Sequence, residues 1–185
     1  MKILIISQYF YPENFRINDV CLGLKERGHE VVVLTGKPNY PDGKFYKNYS
    51  YFNKNFEIWK EIKIYRSFMT PRGQGKRLLL FLNYFTFAFF SSIRVFFIKD
   101  QFEKILVFEP SPITVGIPGI VSKMKFKAAI YFWVQDLWPE SLTAAGGLKN
   151  KFILNFFFIN ILLSYCRSTP SLQFHSNLLI HSLCF

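Results

Sequence analysis

The fold is decided by residues 2–35, which read KILIISQYFYPENFRINDVCLGLKERGHEVVVLT. The run Lys2–Ser7 is apolar and rich in isoleucine, as expected for a strand buried on both faces. A helix is predicted over 16–27, with Gly28 placed as its C-terminal stop, and Glu30–Thr35 is a second, β-branched strand. Strand, helix and strand in this order form a βαβ unit with parallel strands. The chain is therefore predicted to be an α/β protein.

The alternation of strands and helices continues along the chain. Its further elements are strands over 104–108 and 128–134, a strand or hairpin over 56–66, and helices over 78–98 and 113–125. In open parallel sheets, ligands bind beyond the carboxyl ends of the strands. Loop 8–15 and the segment 135–140 both follow such ends, so we expect them to face one cleft.

Composition and charge exclude some classes of protein. Half of the 185 residues are apolar, which excludes a disordered chain. The net charge of +11 favours polyanionic partners, namely nucleic acid, anionic lipid or phosphorylated small molecules. No nucleic-acid-binding module is recognisable and the phenylalanines lie within apolar runs, so nucleic acid is not expected as a partner.

The cysteines indicate a reducing compartment. They number three, and their spacing matches neither a disulfide framework nor a zinc site: Cys21, Cys166 and Cys184. The first apolar run, Lys2–Ser7, is too short for the apolar region of a signal peptide. We therefore expect neither a structural metal nor disulfides, and a cytoplasmic location.

Residues 78–98 form the longest apolar stretch and contain one charged residue, Arg94. That length is sufficient for a transmembrane helix. Four polar residues interrupt it: Asn83, Thr86, Ser91 and Ser92. Because the α/β alternation also needs a crossover helix here, we expect a helix that is buried or lies at a membrane interface, with an integral span as the alternative.

Loop 8–15 and Asp136 are the first candidates for chemistry. The signatures GxGxxG, GxxxxGK[ST] and GxSxG are absent from the sequence. The loop leads into a helix N-terminus, where backbone N–H groups favour anions, and Glu13 or Asn14 supplies groups that hydrogen-bond a sugar hydroxyl. A simple capping loop is the alternative reading. Burial beside Trp138 would suit Asp136 to act as a general base on an acceptor hydroxyl, or Asp136 caps the following turn.

A basic loop precedes the long apolar helix. It contains Arg72, Lys76 and Arg77, which suit the binding of phosphates. The alternative is an ordinary solvated loop.

Several motifs together resemble one enzyme family. They are QYFYPE at 8–13, RGHEV at 27–31, TGKPNYP at 35–41, YR at 65–66, PR at 71–72, PSP at 110–112 and VQDLWPES at 134–141. In this order and spacing the chain resembles the N-terminal half of a family-4 glycosyltransferase with the GT-B fold. It is most similar to the fucosamine-transferase-like branch of surface-polysaccharide synthesis.

The resemblance implies a Rossmann-like parallel sheet with helices on both faces, occupying residues 1–165. Such a domain holds the acceptor, often a lipid-linked sugar at the inner face of the cytoplasmic membrane, while a C-terminal domain holds a nucleotide-sugar donor. Carried over by position, Asp136 would be the catalytic residue. The residues lining the acceptor cleft would be Tyr11, Pro12, Glu13, Asn14, Ser111, Trp138 and Glu140. Arg72, Lys76 and Arg77 would face an anionic membrane surface or a lipid diphosphate, and neither a metal nor a cofactor is implied.

The last residues depart from the family pattern. Residues 166–185 form an atypical tail, uncharged from Ser168 onward, which we interpret as frameshifted or disordered sequence. A donor-side domain is expected to be absent after it, so we expect this chain alone to be inactive as a transferase. A non-catalytic membrane-peripheral module that binds lipid-linked anions is the alternative function.

Overall fold

The structure, a computed structural model, describes residues 1–74, 76–109 and 113–135. Its strands are β1 (Lys2–Ser7), β2 (Glu30–Thr35), β3 (Phe56–Trp59), β4 (Ile62–Arg66), β5 (Lys104–Glu109) and β6 (Ala129–Val134). Its helices are α1 (Arg16–Glu26), α2 (Arg77–Phe97) and α3 (Gly116–Phe126), the last preceded by a 3₁₀ turn at Ile113–Val115. The strands form one sheet in the order β3-β4-β2-β1-β5-β6. The predicted α/β class is confirmed.

The sheet is parallel except at one edge. Strands β4, β2, β1, β5 and β6 pair in parallel, whereas β3 pairs antiparallel with β4. The two residues that join β3 to β4, Lys60 and Glu61, both have positive φ angles, 47° and 63°. A two-residue hairpin turn of type I′ needs this backbone geometry. The parallel arrangement thus holds for five strands, and the edge hairpin makes the sheet mixed.

Helix α1 covers one face of the sheet. Its residues Ile17 and Cys21 are fully buried and belong to a core cluster with Ile5, Val33 and Ile64 of the central strands. Side chains alternate between the two faces of a strand, so these strand residues point to the same side. Burial of this apolar surface is the main force that holds α1 on the sheet.

Helices α2 and α3 cover the other face. The α2 residues Phe87 and Val95 belong to a second core cluster with Leu4, Leu34 and Ile105. The ammonium of Lys125, near the end of α3, donates hydrogen bonds to three carbonyls at the end of α2: Val95 at 2.9 Å, Phe96 at 3.0 Å and Ile98 at 2.5 Å. The carbonyl of Val95 also accepts from the backbone N–H of Ile98 at 3.1 Å, and Lys125 supplies a donor to carbonyls at a helix end, where intrahelical donors run out. Helices on both faces of the sheet agree with the predicted architecture.

The outer side of α2 is exposed and apolar. By length and composition alone this helix is able to cross a membrane, and 28% of its most apolar window is buried. Its exposed large apolar residues are Leu78, Phe81, Phe85, Phe89, Ile93, Phe96 and Phe97. Phe81, Phe85 and Phe89, here called the phenylalanine row, follow one another at four-residue spacing with centroids 6.2 and 6.3 Å apart and nearly parallel rings. The helix therefore has one face in the core and one face without cover among the described residues.

The strand order places a crevice next to β1. This strand lies between β2 and β5, so the chain winds away from it in both directions. In such sheets the ligand crevice lies at the carboxyl ends of the two strands where the winding reverses. Loop 8–15 leaves β1 at that end, and that it faces one cleft with segment 135–140 stays a prediction.

Candidate functional site

Three loops meet at the carboxyl edge of the sheet. They are loop 8–15 after β1, loop 36–43 after β2 and loop 67–76 after β4. The carbonyl of Gln8 accepts hydrogen bonds from the backbone of Gly36 at 3.2 Å and from the hydroxyl of Thr35 at 3.3 Å. The backbone N–H of Gly73 donates to the carbonyl of Gly43 at 2.9 Å. These bonds fix the loops relative to one another.

The carboxylate of Glu13 lies at the centre of this junction and is only 2% exposed. Its Oε1 accepts backbone hydrogen bonds from Asn39 at 2.8 Å and Tyr40 at 2.7 Å, and its Oε2 accepts one from Phe10 at 3.3 Å. Burial raises the pKa of Glu13 to about 7, although these hydrogen bonds lower it. Glu13 therefore joins loop 8–15 to loop 36–43 through a carboxyl group that titrates near neutral pH.

The neighbours of Glu13 in the loop are more accessible. Asn14 is exposed and Pro12 is half-buried. Tyr11 stacks its partly exposed ring on Trp59, with centroids 4.6 Å apart, and its backbone N–H donates to Asn18 Oδ1 at 3.2 Å. The ring of Tyr11 is thus held against the edge strand β3, three strands away from β1, and Asn14 is exposed in the loop.

The side chain of Arg72 is half-buried among aromatic residues. Its guanidinium donates to the hydroxyl of Tyr9 at 3.3 Å and lies over the ring of Tyr40, 5.5 Å from the centroid. Its backbone N–H donates to Asn39 Oδ1 at 3.0 Å. Burial raises the pKa of Tyr9, against the opposing effect of the Arg72 charge. Arg72 is therefore part of the loop junction rather than a freely solvated cation.

Lys76 and Arg77 differ from Arg72 because both are exposed. Lys76 precedes the first turn of α2 and Arg77 begins it, and that turn contains no acidic residue. The positive end of a helix dipole disfavours cations at this position. The structure thus separates the predicted basic set into one half-buried member, Arg72, and two exposed ones that a nearby anion would stabilise.

A buried amide network connects α2 to the same junction. The Gln8 Nε2 donates to Asn83 Oδ1 at 2.7 Å, and Asn83 Nδ2 donates to the carbonyl of Thr70 at 2.6 Å. Asn83 is fully buried. Sequence reasoning noted Asn83 as an interruption of an apolar helix and counted both Asn83 and Gln8 among the residues that carry the family resemblance, but it assigned neither a hydrogen-bond partner. A polar residue in an otherwise apolar helical run was the one available signal.

Four predicted site residues lie outside the described residues: Ser111, Asp136, Trp138 and Glu140. Ser111 follows β5 in the sequence, and the other three follow β6. At the end of β6, the backbone N–H of Gln135 donates to the carbonyl of Glu109 at 2.9 Å. The chain therefore leaves β6 at the edge that loop 8–15 borders, and the roles of these four residues stay predictions.

Comparison with known proteins shows a likeness to solved structures. No protein-family model matches the chain, and no curated protein sequence matches it. Among solved structures, the sucrose-phosphate synthase of Thermosynechococcus elongatus superposes with a TM-score of 0.52 at 15% identity, over 92% of this chain and 40% of that one. That protein is a GT-B glycosyltransferase. The chain thus has a glycosyltransferase-like, Rossmann-like α/β fold and spans well under half the length of its structural neighbour.

Clustered metal ligands are absent from the described part of the chain. Over the described ranges 1–74, 76–109 and 113–135, no group of three or more His, Cys, Asp or Glu side chains lies close enough together to hold an ion. Glu13, the most buried acid of the junction, has its carboxylate oxygens occupied by backbone N–H groups. The described part of the junction can therefore contact a ligand through hydrogen-bonding groups and aromatic rings.

Proposed function

We propose that the chain is the acceptor-side domain of a GT-B glycosyltransferase. The observation that carries this proposal is the position of loop 8–15, which leaves β1 where the strand order reverses and carries the exposed Asn14 and the partly exposed ring of Tyr11, while the buried Glu13 anchors the loop. In a glycosyltransferase-like fold, an acceptor bound there would be oriented by the aromatic ring and the amide. Asp136, on the segment that leaves β6, would accept the proton of its attacking hydroxyl.

The donor in this proposal is a nucleotide sugar, which serves as co-substrate and binds to a second, donor-side domain. No metal or other cofactor enters the proposed reaction. Neither domain transfers sugar alone, because the acceptor hydroxyl and the donor carbon must be brought together between them. A domain of this kind should therefore bind acceptor without transferring sugar.

A more specific part of the proposal concerns the chemical class of the acceptor and the location of the domain in the cell. The motifs QYFYPE and TGKPNYP resemble family-4 enzymes of the fucosamine-transferase-like branch, which favours a lipid-linked acceptor in surface-polysaccharide synthesis. Residues 62–99 contain seven Lys and Arg and no acidic residue, and the same segment includes the exposed face of α2. Basic residues beside an exposed apolar helix face bind anionic lipid. We therefore place the domain at the inner face of the cytoplasmic membrane.

A second candidate function is supported by that exposed face alone. A membrane-peripheral module without catalytic activity would use the phenylalanine row and the exposed Lys76 and Arg77 to hold lipid-linked anions. It would not need Tyr11 or Asn14. The two functions therefore differ in whether the sugar of a lipid-linked ligand is recognised.

The test measures ligand binding to the purified chain by NMR chemical-shift perturbation. Polyprenyl-diphosphate-linked monosaccharides with short prenyl chains are compared with the same prenyl diphosphates without sugar, and with nucleotide sugars. We expect the sugar-linked forms to bind at least tenfold more tightly than the bare diphosphates, and the nucleotide sugars not to bind. The variant Asn14→Ala should remove this preference. Equal binding of both prenyl diphosphates would support the peripheral module, and binding of nucleotide sugars alone would reject an acceptor-side role.

A further inference from the structure

An aromatic groove of about 460 Å³ lies between the carboxyl end of β4, the segment before β3 and the second half of α2. Its walls are mostly apolar and consist of Tyr51, Phe52, Phe68, Phe90, Ile93 and Phe97. Phe68 stacks on Tyr51 at 5.0 Å and meets the Phe90 ring edge-on at 4.6 Å. This groove is lined by none of the predicted acceptor residues, and the proposed function makes no use of it.

The polar residues that line the groove are Asn55, Arg66, Ser67 and Arg94. Most of their polar groups already form hydrogen bonds or ion pairs with other residues of the chain. Arg66 is fully buried, pairs with Glu57 and donates to the carbonyls of Gly36 and Tyr11. The side-chain Oδ1 of Asn55 accepts a hydrogen bond from the ammonium of Lys37 at 2.9 Å. The backbone carbonyl of Asn55 accepts one from the guanidinium of Arg94 at 3.1 Å.

Two polar groups of the lining are buried and have no hydrogen-bond partner among the described residues. They are the Nε of Arg94 and the hydroxyl of Ser67, whose residue is only 2% exposed. Burying such groups without a partner is costly. One cationic donor and one hydroxyl are thus left available to a ligand, and they lie on the lining of an otherwise apolar groove.

The charges around the groove do not balance. Three cations lie in this cluster, Lys37, Arg66 and Arg94, and two acidic groups act on it: Glu57, which pairs with Arg66, and Glu13, whose buried carboxyl group interacts with Arg66. Lys37 and Arg66 are each only 1% exposed. Burial and then the neighbouring Arg66 charge lower the pKa of Lys37 to about 8. Buried cations in excess of their counter-ions create a positive potential that an anionic ligand would offset.

We propose that this groove binds a monomeric anionic amphiphile, with its hydrocarbon chain between the aromatic walls and its phosphate or carboxylate on Arg94 and Ser67. A free sugar or nucleotide fits less well, because each needs many polar partners and the lining offers only two unengaged groups. An uncharged apolar ligand would leave the cation surplus and the Arg94 donor unsatisfied. The observations therefore favour a ligand that combines one chain with one anionic group.

The test is isothermal titration of the full chain with decyl phosphate below its critical micelle concentration, compared with decanol and with inorganic phosphate. We expect saturable one-to-one binding of decyl phosphate, at least tenfold tighter than either comparison ligand. The variant Arg94→Gln should weaken decyl phosphate binding about tenfold or more and leave decanol binding unchanged. Circular dichroism of the variant verifies that the fold is intact.

A second pair of variants avoids any dependence on the packing of Arg94. Ile93 lines the groove and Phe85 does not, yet both are exposed on α2. Ile93→Glu should weaken decyl phosphate binding at least tenfold by charge repulsion, and the matched control Phe85→Glu should not. The proposal would be overturned if wild type and the three variants bound decyl phosphate equally. It would also be overturned if wild type bound decanol as tightly as decyl phosphate, or did not bind decyl phosphate at all.

A third arm distinguishes a free amphiphile from a lipid surface. Flotation with vesicles containing phosphatidylglycerol should be weakened far more by Phe85→Glu than by Arg94→Gln, because Arg94 is only one of the seven cations of residues 62–99. Binding to vesicles without binding to monomeric decyl phosphate would overturn the groove assignment. The acceptor-side function is tested with Asn14 instead, so its failure and the failure of the groove are distinguishable.

Discussion

The buried carboxylate of Glu13 accepts a hydrogen bond from the backbone of Asn39 at 2.8 Å, and this contact joins the loops after two neighbouring parallel strands. A second bond to the same oxygen comes from Tyr40 at 2.7 Å. The candidate acceptor site therefore depends on one acidic side chain that touches backbone rather than another side chain. That dependence gives the site a measurable response to pH.

Glu13→Gln is expected to change how stability depends on pH. The pKa of Glu13 is raised from 4.5 to about 7 in the folded chain, so the folded state holds this proton more tightly than the unfolded state does. The stabilisation it gives is complete below pH 4.5 and is lost as pH rises through 7, by about 3 kcal/mol in all. Relative to wild type, the variant should gain most of that amount between pH 4.5 and 8 in urea denaturation.

The control for this measurement is Glu61→Gln at the exposed hairpin turn. The hydrogen bond from Lys25 lowers the pKa of Glu61, so this carboxyl group contributes a pH dependence of the opposite sign. The variant Glu61→Gln should therefore not become more stable relative to wild type as pH rises. Parallel stability curves for wild type and Glu13→Gln would show that Glu13 titrates in its ordinary range.

The sequence predicted the central elements because their signals are local. β-Branched runs indicated β1 and β2, and Gly28 indicated the end of α1, where its φ is +78°. The edge hairpin stayed open between two readings, because Lys60 and Glu61 are not residues typical of a turn with positive φ. Local chemistry therefore identified the βαβ unit and left the edge of the sheet undecided.

The site was less predictable for a physical reason. Glu13 was identified as a candidate from its loop, but its partners are backbone N–H groups 26 and 27 residues further along the chain, which no residue type marks. Likewise, the cations Lys37, Arg66 and Arg94 come from three separate elements. Only the folded sheet brings them together beside Glu57.

Gly43→Ala is expected to destabilise the loop junction. Gly43 has a φ of +71°, and an added Cβ would lie 2.1 Å from the carbonyl oxygen of Gly73. Because that oxygen belongs to the backbone, one of the two loops must shift. We expect a loss of about 2–4 kcal/mol of unfolding free energy, from left-handed strain and overpacking together.

Gly28→Ala is the matched control for that prediction. Gly28 has a similar φ of +78°, but nothing lies within 4 Å of its added Cβ. Only the backbone strain remains, so the loss should be about 1 kcal/mol. Equal losses at the two positions, measured by urea denaturation, would show that the approach of Gly43 to Gly73 contributes nothing.

Asn83→Leu is expected to uncouple α2 from the loop junction. Leucine is similar in size to asparagine but cannot form the hydrogen bonds to Gln8 and Thr70. The buried side-chain amide of Gln8 and the carbonyl of Thr70 would each lose that partner. The expected cost is about 2–4 kcal/mol. Ser92→Ala in the same helix removes a bond only to the carbonyl of Ala88 one turn away, so it should cost less than about 0.5 kcal/mol. Similar costs for the two variants would contradict a special role for Asn83.

Replacing the phenylalanine row is expected to weaken membrane binding without unfolding the domain. Phe81, Phe85 and Phe89 are all more than half exposed, so Phe→Ser changes there remove little buried surface. Each ring that inserts into the lipid interface contributes about 1–2 kcal/mol. The double variant Phe81→Ser/Phe85→Ser should therefore reduce binding to anionic vesicles about tenfold or more in flotation assays.

Ile58→Ser on the edge strand β3 is the control for that experiment, since Ile58 is also exposed and apolar but belongs to the sheet and not to α2. It should leave vesicle binding unchanged. High salt should weaken the binding of all three proteins, because the cations that flank α2 act through screened charge. If the double variant and Ile58→Ser reduced vesicle binding alike, the attraction would come from general surface apolarity. The outer face of α2 would then have no special part in membrane association.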